Sequence, residues 1–377
     1  MFGIYIHIPF CRKACHYCDF HFSTSLNYMD EMVDAICKEI ALKADRVSGT
    51  AGSIYFGGGT PSILPATALQ KIFQTLEKHF DIATGAEITL EANPDDLNAA
   101  ALKTMRALPV NRFSIGVQSF FEEDLRWMNR AHHAGEAIDS IRRSQDAGFE
   151  NLSIDLIYGY PLLSDEKWES NLATAISLQV PHLSSYSLTV EPRTALAAAI
   201  EKRKEPAPTD AQSAEQFRML MARLQSARFE HYEISNFALP GQYAVHNTNY
   251  WRGVPYLGIG PSAHGFDGHT RYMNMASNAT YMQALLRGQL AEERELLTDH
   301  DRYNEYVMTS LRTMWGLDPE LVISRFGRSY HDYLHTALGK LGSNDWLISG
   351  DGKIKLTTEG KLYADHIASE LFKVDEE

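Results

Sequence analysis

Across the first 190 residues, six short apolar runs alternate with longer segments of helical periodicity, and few architectures accommodate that alternation. The predicted strands cover residues 3–8, 53–56, 87–91, 112–117, 151–157 and 182–187. Between them, residues 26–44, 67–80, 96–108, 122–128 with 135–147, and 166–178 read as helices. Strands separated by helices run parallel and are joined by right-handed crossovers, which leaves a barrel or a doubly wound sheet. The placement of the unusual residues selects the barrel. A cysteine loop follows the first strand, Gly57-Gly58-Gly59-Thr60-Pro61 the second, Glu91 ends the third, Gln118 lies just beyond the fourth, Asp155 sits in the fifth and Thr189 follows the sixth. One such feature per strand, nearly always at its carboxyl end, is the pattern of a barrel with its site on the top rim. The expectation is an α/β fold, a partial (β/α)6 TIM-type barrel.

After Glu191 the pattern changes. Pro192, Pro206 and Pro208 flank the charged run 201–205, a solvated helix end and connector, and a helix over 210–227 with a strand near 231–234 completes a barrel region of residues 1–235. Residues 236–274 are rich in Gly, Pro, Asn and aromatics, so 236–298 is expected as a loop-rich segment packing on the barrel rim. Helices over 301–314, 319–326 and 330–341, a hairpin around Gly350-Asp351-Gly352 and a final helix over 358–372 predict a small helical, winged-helix-like C-terminal domain over 299–377.

A chain of 377 residues has room for one large domain and a small one. The net charge of -13 and the lack of a Lys/Arg-rich run argue against a nucleic-acid partner, and the C-terminal module has no obvious basic stripe. Three of the four cysteines crowd the first eighteen residues, which is not how a disulfide framework is laid out. With no charged leader and no apolar run near the ~18 residues of a membrane span, the expected setting is the cytoplasm, without a transmembrane segment.

The loop Cys11-Arg12-Lys13-Ala14-Cys15-His16-Tyr17-Cys18 puts three thiolates within eight residues. Thiolates suit iron-sulfur clusters and zinc. Three protein ligands leave a coordination position open, whereas a closed zinc knuckle would need His16, His21 or Cys37 as the fourth. Cys37 falls among Met29, Met32, Val33, Ile36 and Ile40 at helical spacing and reads as core.

The spacing Cys-x3-Cys-x2-Cys, with an aromatic before the last cysteine, resembles the cluster loop of the radical S-adenosylmethionine superfamily. The resemblance implies a 4Fe-4S cluster on Cys11, Cys15 and Cys18, with S-adenosylmethionine on the fourth iron, cleaved by one-electron reduction to a 5'-deoxyadenosyl radical. Tyr-Ile-His-Ile-Pro-Phe-Cys, Gly-Gly-Gly-Thr-Pro-Ser, Ser-Ile-Gly-Val-Gln-Ser-Phe, Ile-Asp-Leu-Ile-Tyr-Gly and His-Asn-Thr-Asn-Tyr-Trp are similar to one branch of it. That branch holds oxygen-independent coproporphyrinogen III oxidase and the HemW-type haem chaperones. By the same resemblance Tyr5, Tyr17, Gly58, Gly59, Thr60, Glu91, Gln118, Arg130, Asp155 and Thr189 surround S-adenosylmethionine. Their types match a zwitterionic, ribose-bearing ligand: carboxylates and an amide for the amine and hydroxyls, a guanidinium for the carboxylate.

Two departures point to the chaperones. Phe20 stands where the oxidase has a fourth cysteine, and only four residues precede Tyr5 where the oxidase has an extension. The resemblance then implies haem binding and transfer to an acceptor protein, an electron donor of flavodoxin or ferredoxin type, and S-adenosylmethionine cleavage kept as a gate or side activity. Haem would meet His246, Asn247, Tyr250 and Trp251, where imidazole is a common axial ligand and the aromatics offer flat faces. The other account of that segment is an aromatic lid with a hydrogen-bonded histidine. His132, His133 and His264 read as local hydrogen-bonding groups. The enzyme alternative is oxidation of coproporphyrinogen III in porphyrin biosynthesis, removing two propionate carboxyls.

Overall fold

A computed structural model describes residues 1–341 and 345–374. Strands β1 (Phe2–Ile8), β2 (Thr50–Gly58), β3 (Asp81–Ala92), β4 (Arg112–Gln118), β5 (Asn151–Tyr158) and β6 (His182–Ser187) lie side by side in that order, all parallel. Helices Met29–Leu42, Ala66–His79, Ala99–Met105, Ala134–Asp146 and Asp165–Ser177 fill the crossovers. The third starts later than the periodicity predicts, because the Asn98 side chain accepts from Ala101 N (3.0 Å) and caps it there.

Side-chain alternation along the strands sorts the two faces of the sheet. Ile4, Ile6, Ile54, Phe56, Leu90, Phe113, Ile115, Leu152 and Ile154 face the helices and join Met32, Ile36, Ile72, Phe73 and Leu76 in one buried cluster. The opposite, inward positions are polar: Tyr5, Ser53, Tyr55, Glu87, Thr89, Arg112, Ser114, Asp155 and His182. A filled TIM barrel has an apolar lumen; here the lumen is a hydrogen-bonded network, because buried polar groups need partners. Arg112 lies 4.0 Å from Glu87 and donates to Asn151 Oδ1 at 2.5 Å, and His182 pairs with Ser153 Oγ at 2.7 Å.

The barrel stays open. Strands β7 (Glu230–Glu233) and β8 (Asn236–Ala238) extend the sheet beyond β6, and β9 (Tyr256–Ile259), β10 (His264–Phe266), β11 (Thr270–Asn274) and β12 (Glu292–Leu296) extend it beyond β1, giving twelve strands. Residues 236–298, expected as loops, thus supply five strands and the helices Val245–Trp251 and Asn278–Leu286. Two of their glycines, Gly258 and Gly265, mark close strand approach rather than turns. A Cβ on Gly258 would lie 1.8 Å from His264 O, and one on Gly265 2.0 Å from the Tyr272 ring. Fully buried Lys43 ties this flank to the first helix, pairing with Glu39 at 2.6 Å and Glu292 at 3.2 Å.

The C-terminal module has its own core of Tyr303, Val307, Leu311, Leu334, Ile367 and Leu371. Helices Asp299–Leu311, Pro319–Phe326 and Arg328–Leu341 precede a hairpin of β13 (Leu347–Gly350) and β14 (Lys353–Leu356). The last helix, Ala364–Glu370, is shorter than predicted. A tight turn, Gly360–Tyr363, precedes it, because Gly360 packs so closely under the hairpin that a Cβ would meet Trp346 O at 2.0 Å. Among the described residues, no helix is long and apolar enough to cross a membrane.

Candidate cofactor site at the top of the barrel

The cysteine loop leaves β1 and is pinned at both ends. Cys11 N donates to Ser23 O (3.0 Å) and Ser23 N to Pro9 O (2.9 Å), closing its base. Its tip is held by the chain after β4: His16 N donates to Met128 O (3.1 Å) and Asn129 Nδ2 to Ala14 O (2.7 Å). Cys11 Sγ accepts from Thr60 Oγ1 at 3.5 Å and Cys15 Sγ from Arg130 Nη1 at 3.4 Å. Burial raises the Cys11 thiol and pushes Cys18 up to about 12, so a metal centre would have to displace their protons.

The residues that would close a zinc knuckle are engaged elsewhere. His16 Nδ1 pairs with Trp127 O (2.8 Å), His21 Nε2 with Asn278 Oδ1 (2.7 Å), and Cys37 lies against the core on its helix. The three loop cysteines share one cavity wall, although among the described residues no three His, Cys, Asp or Glu side chains converge as ligands of a single ion would.

That cavity, about 420 Å³, is lined by Cys11, Cys15, Tyr17, Cys18, Gly58, Gly59, Thr60, Glu91, Gln118, Arg130, Asp155 and Thr189. Tyr5 sits deeper, its hydroxyl 3.1 Å from His7 Nδ1 and its ring stacked on Tyr55. Gly58 takes φ +105°, a conformation other residues avoid. A Cβ on Gly59 would lie 2.5 Å from Phe10 O and 2.8 Å from Ile8 O. Because those neighbours are backbone, Gly59→Ala should lower stability by about 1–3 kcal/mol and reduce iron incorporation, measured by thermal melting and iron assay. An unchanged midpoint would mean the loop gives way easily.

Two carboxyls of the cavity are held well above their usual range. Glu91 accepts from Tyr55 Oη (2.7 Å) and Gly58 N (3.2 Å), yet burial pushes its carboxyl up to about 7. Burial likewise pushes Asp155 up to about 6, despite a hydrogen bond from Ser114 Oγ at 3.2 Å. Buried carboxyls held near neutrality favour a cationic ligand that restores their charge. Arg130 donates to Asn93 Oδ1 (2.6 Å) and Gly116 O (2.8 Å), leaving its buried Nε without a partner. Gln118 closes β4 at φ +67°, a left-handed conformation uncommon outside glycine and asparagine.

Sequence motifs alone missed Tyr55, Asn93, Ser114 and Gly116. The period of two would have found them, since Tyr55 is two residues before Gly57, Asn93 two after Glu91, and Ser114 and Gly116 two apart before Gln118.

His246, Asn247, Tyr250 and Trp251 lie on helix Val245–Trp251, at the amino-terminal ends of the strands and not on the rim where that segment was expected. Glu87 accepts from Val245 N and His246 N (2.9 Å each), seating the helix N-terminus. His246 points inward: Nδ1 is 3.0 Å from Ser53 Oγ, and a Cβ on Gly3 would touch the ring at 3.2 Å. Burial lowers its pKa to about 4, so the imidazole is neutral. Asn247 Oδ1 accepts from Trp251 Nε1 (3.1 Å), and the Tyr250 ring is exposed. His132 Nε2 pairs with Val117 O (3.1 Å) and His133 Nδ1 with Glu122 (2.9 Å), both local bonds.

Residues 5–175 match the Radical SAM superfamily and residues 297–363 the HemN C-terminal domain. The chain is 33% identical to the heme chaperone HemW of Bacillus subtilis, over 97% of this chain and 98% of that protein. The chain belongs to the HemW family of radical S-adenosylmethionine proteins. HemW of Escherichia coli is 31% identical over 98% of this chain and 97% of its own. The solved structure of the Escherichia coli coproporphyrinogen III oxidase HemN shares the fold, with a TM-score of 0.85 over 99% of this chain and 90% of that one, at 24% identity. Membership of the radical family implies a 4Fe-4S cluster and S-adenosylmethionine. The cavity fits such a pair: three thiols share one wall, two half-buried carboxyls are held well above their usual range and the glycine cradle leaves no room for a Cβ.

Proposed function

We propose that this HemW-family protein binds haem and passes it to an acceptor protein in the cytoplasm, keeping a 4Fe-4S cluster on Cys11, Cys15 and Cys18. The observation that carries the reading is the match along nearly the whole of the Bacillus subtilis chaperone. Phe20 supports it, standing 67% exposed at the cavity mouth in place of the fourth cysteine that the oxidase pattern carries.

Glu91 and Asp155 hold the ligand's ammonium and hydroxyls, Arg130 supplies positive charge for its carboxylate, and the Gly58-Gly59-Thr60 backbone lets the ligand approach closely. Tyr17, Gln118 and Thr189 complete the wall, with Tyr5 behind it. Cys11, Cys15 and Cys18 would hold the cluster, which when bound and reduced by a flavodoxin- or ferredoxin-type donor would supply one electron to the sulfonium.

Haem meets Tyr250 and Trp251 first, because their rings reach the surface. His246 ligates iron only when helix Val245–Trp251 lifts from Ser53 and Glu87, and Asn247 steadies the Trp251 ring. In haem titrations followed by absorbance, His246→Ala should shift or weaken the haem spectrum. Tyr250→Ala should mainly lower affinity, by about fivefold for one lost ring contact. Uptake indifferent to changes throughout residues 246–251 would leave that segment as an aromatic lid. Protoporphyrinogen IX formed anaerobically from coproporphyrinogen III would favour the oxidase instead.

A further inference from the structure

Tyr55 stands between the cofactor cavity and the His246 helix. Its hydroxyl donates to Glu91 Oε1 at 2.7 Å, one of two hydrogen bonds that fix that carboxylate, the other being Gly58 N on Oε2 at 3.2 Å. Its ring lies 5.3 Å from the His246 ring, with planes 31° apart. Two residues earlier on the same face of β2, Ser53 holds His246 Nδ1. On β3 the pattern repeats: Glu91 serves the cavity, and Glu87, four residues before it on the same face, seats the helix N-terminus. Two adjacent strands therefore carry both ends of the lumen. Gly57 leaves the space this needs, since a Cβ there would lie 2.9 Å from the Tyr55 ring and 3.0 Å from Glu91 Oε1.

We propose that Tyr55 is a positioning residue that holds Glu91 for the ammonium of S-adenosylmethionine and ties it to the seat of His246, so that haem and S-adenosylmethionine oppose each other's binding. The opposition rests on the haem reading above. With His246 seated, the Tyr55 ring is packed and its hydroxyl aimed at Glu91. When the helix lifts to bring His246 to iron, Tyr55 keeps the Tyr5 stack but loses the His246 side of its packing, which frees its hydroxyl to leave Glu91. S-adenosylmethionine thus favours the seated state, and haem the lifted one. A ligand shifts an equilibrium only by its differential affinity for the two states, and the coupling is reciprocal.

The test is S-adenosylmethionine affinity by equilibrium dialysis on cluster-loaded protein, with and without saturating haem. In the wild type, haem should weaken binding about fivefold or more. Tyr55→Phe keeps the ring and removes only the hydroxyl. Without haem it should weaken S-adenosylmethionine binding about tenfold, the effect of one hydrogen bond to a charged group, while thermal midpoint and iron content stay near wild type. In that variant the added effect of haem should shrink to less than about twofold.

Wild-type affinity that ignores haem would overturn the tie, as would antagonism of full strength in Tyr55→Phe, since the two ligands would then meet elsewhere. Tyr55→Phe that binds S-adenosylmethionine like wild type would overturn the positioning role. Absence of any haem uptake would sink the haem reading and the tie with it, while the haem-free comparison still decides the role of Tyr55.

Discussion

Replacing Cys11, Cys15 and Cys18 together by alanine will leave the anaerobically reconstituted protein without bound iron or acid-labile sulfide, where the wild type carries about four of each per chain. The expectation follows from the loop's construction. Its base is closed on Ser23 and its tip on Met128 and Asn129, so the backbone presents all three thiols to one cavity. Those contacts come from main chain and from Asn129, so the loop survives loss of the sulfurs and the defect is one of ligation. Cys37→Ala is the control. That thiol sits on the first helix and donates weakly to Lys71 O at 3.9 Å, so its loss should leave iron and sulfide unchanged. Stoichiometric zinc without sulfide in the wild type would refute the cluster.

The second large effect concerns the buried carboxyls. Asp155→Ala should weaken S-adenosylmethionine binding about tenfold or more, since it removes a charged partner from a site shielded from water. Thermal midpoint without ligand should not fall, because burial outweighs the hydrogen bonds this carboxyl accepts and holds it above its usual range. A pH dependence accompanies this. Burial pushes the Glu91 carboxyl up to about 7 and Asp155 up to about 6, whereas a bound ammonium would favour the ionised forms of both. Well above pH 7 both are charged and binding releases almost no proton. Below it, each protonated carboxyl must lose its proton on binding, so affinity should fall as pH drops, by about tenfold between pH 8 and 6 through Glu91 alone. Glu91→Gln should flatten that profile. Affinity independent of pH over this range would mean that neither carboxyl meets the ammonium.

That these residues gather at one cavity was legible because the signals are local. Three cysteines within eight residues share one loop whatever surrounds them, and a glycine run after a strand marks close approach wherever the strand lies. Strand-helix alternation likewise needs only neighbouring residues, and it gave the six parallel strands and the end of the barrel at which the cavity opens. The later strands were hidden because they are three to five residues long and two of them, β9 and β10, carry glycines at close contacts, so neither period rises above the turn signals.

What only the tertiary structure decided is which residues lie between the two ends of the barrel. Nothing in His246-Asn247-Thr248-Asn249-Tyr250-Trp251 says that the imidazole turns inward to Ser53 while Tyr250 faces solvent. That direction is set by Glu87, 159 residues earlier than His246, and by the room left at Gly3. Nor does the sequence say that Tyr55 bridges His246 and Glu91. A polar residue on an inward strand position can find its partner from any strand of the barrel, and the register and closure that choose among them arise only once the sheet has formed.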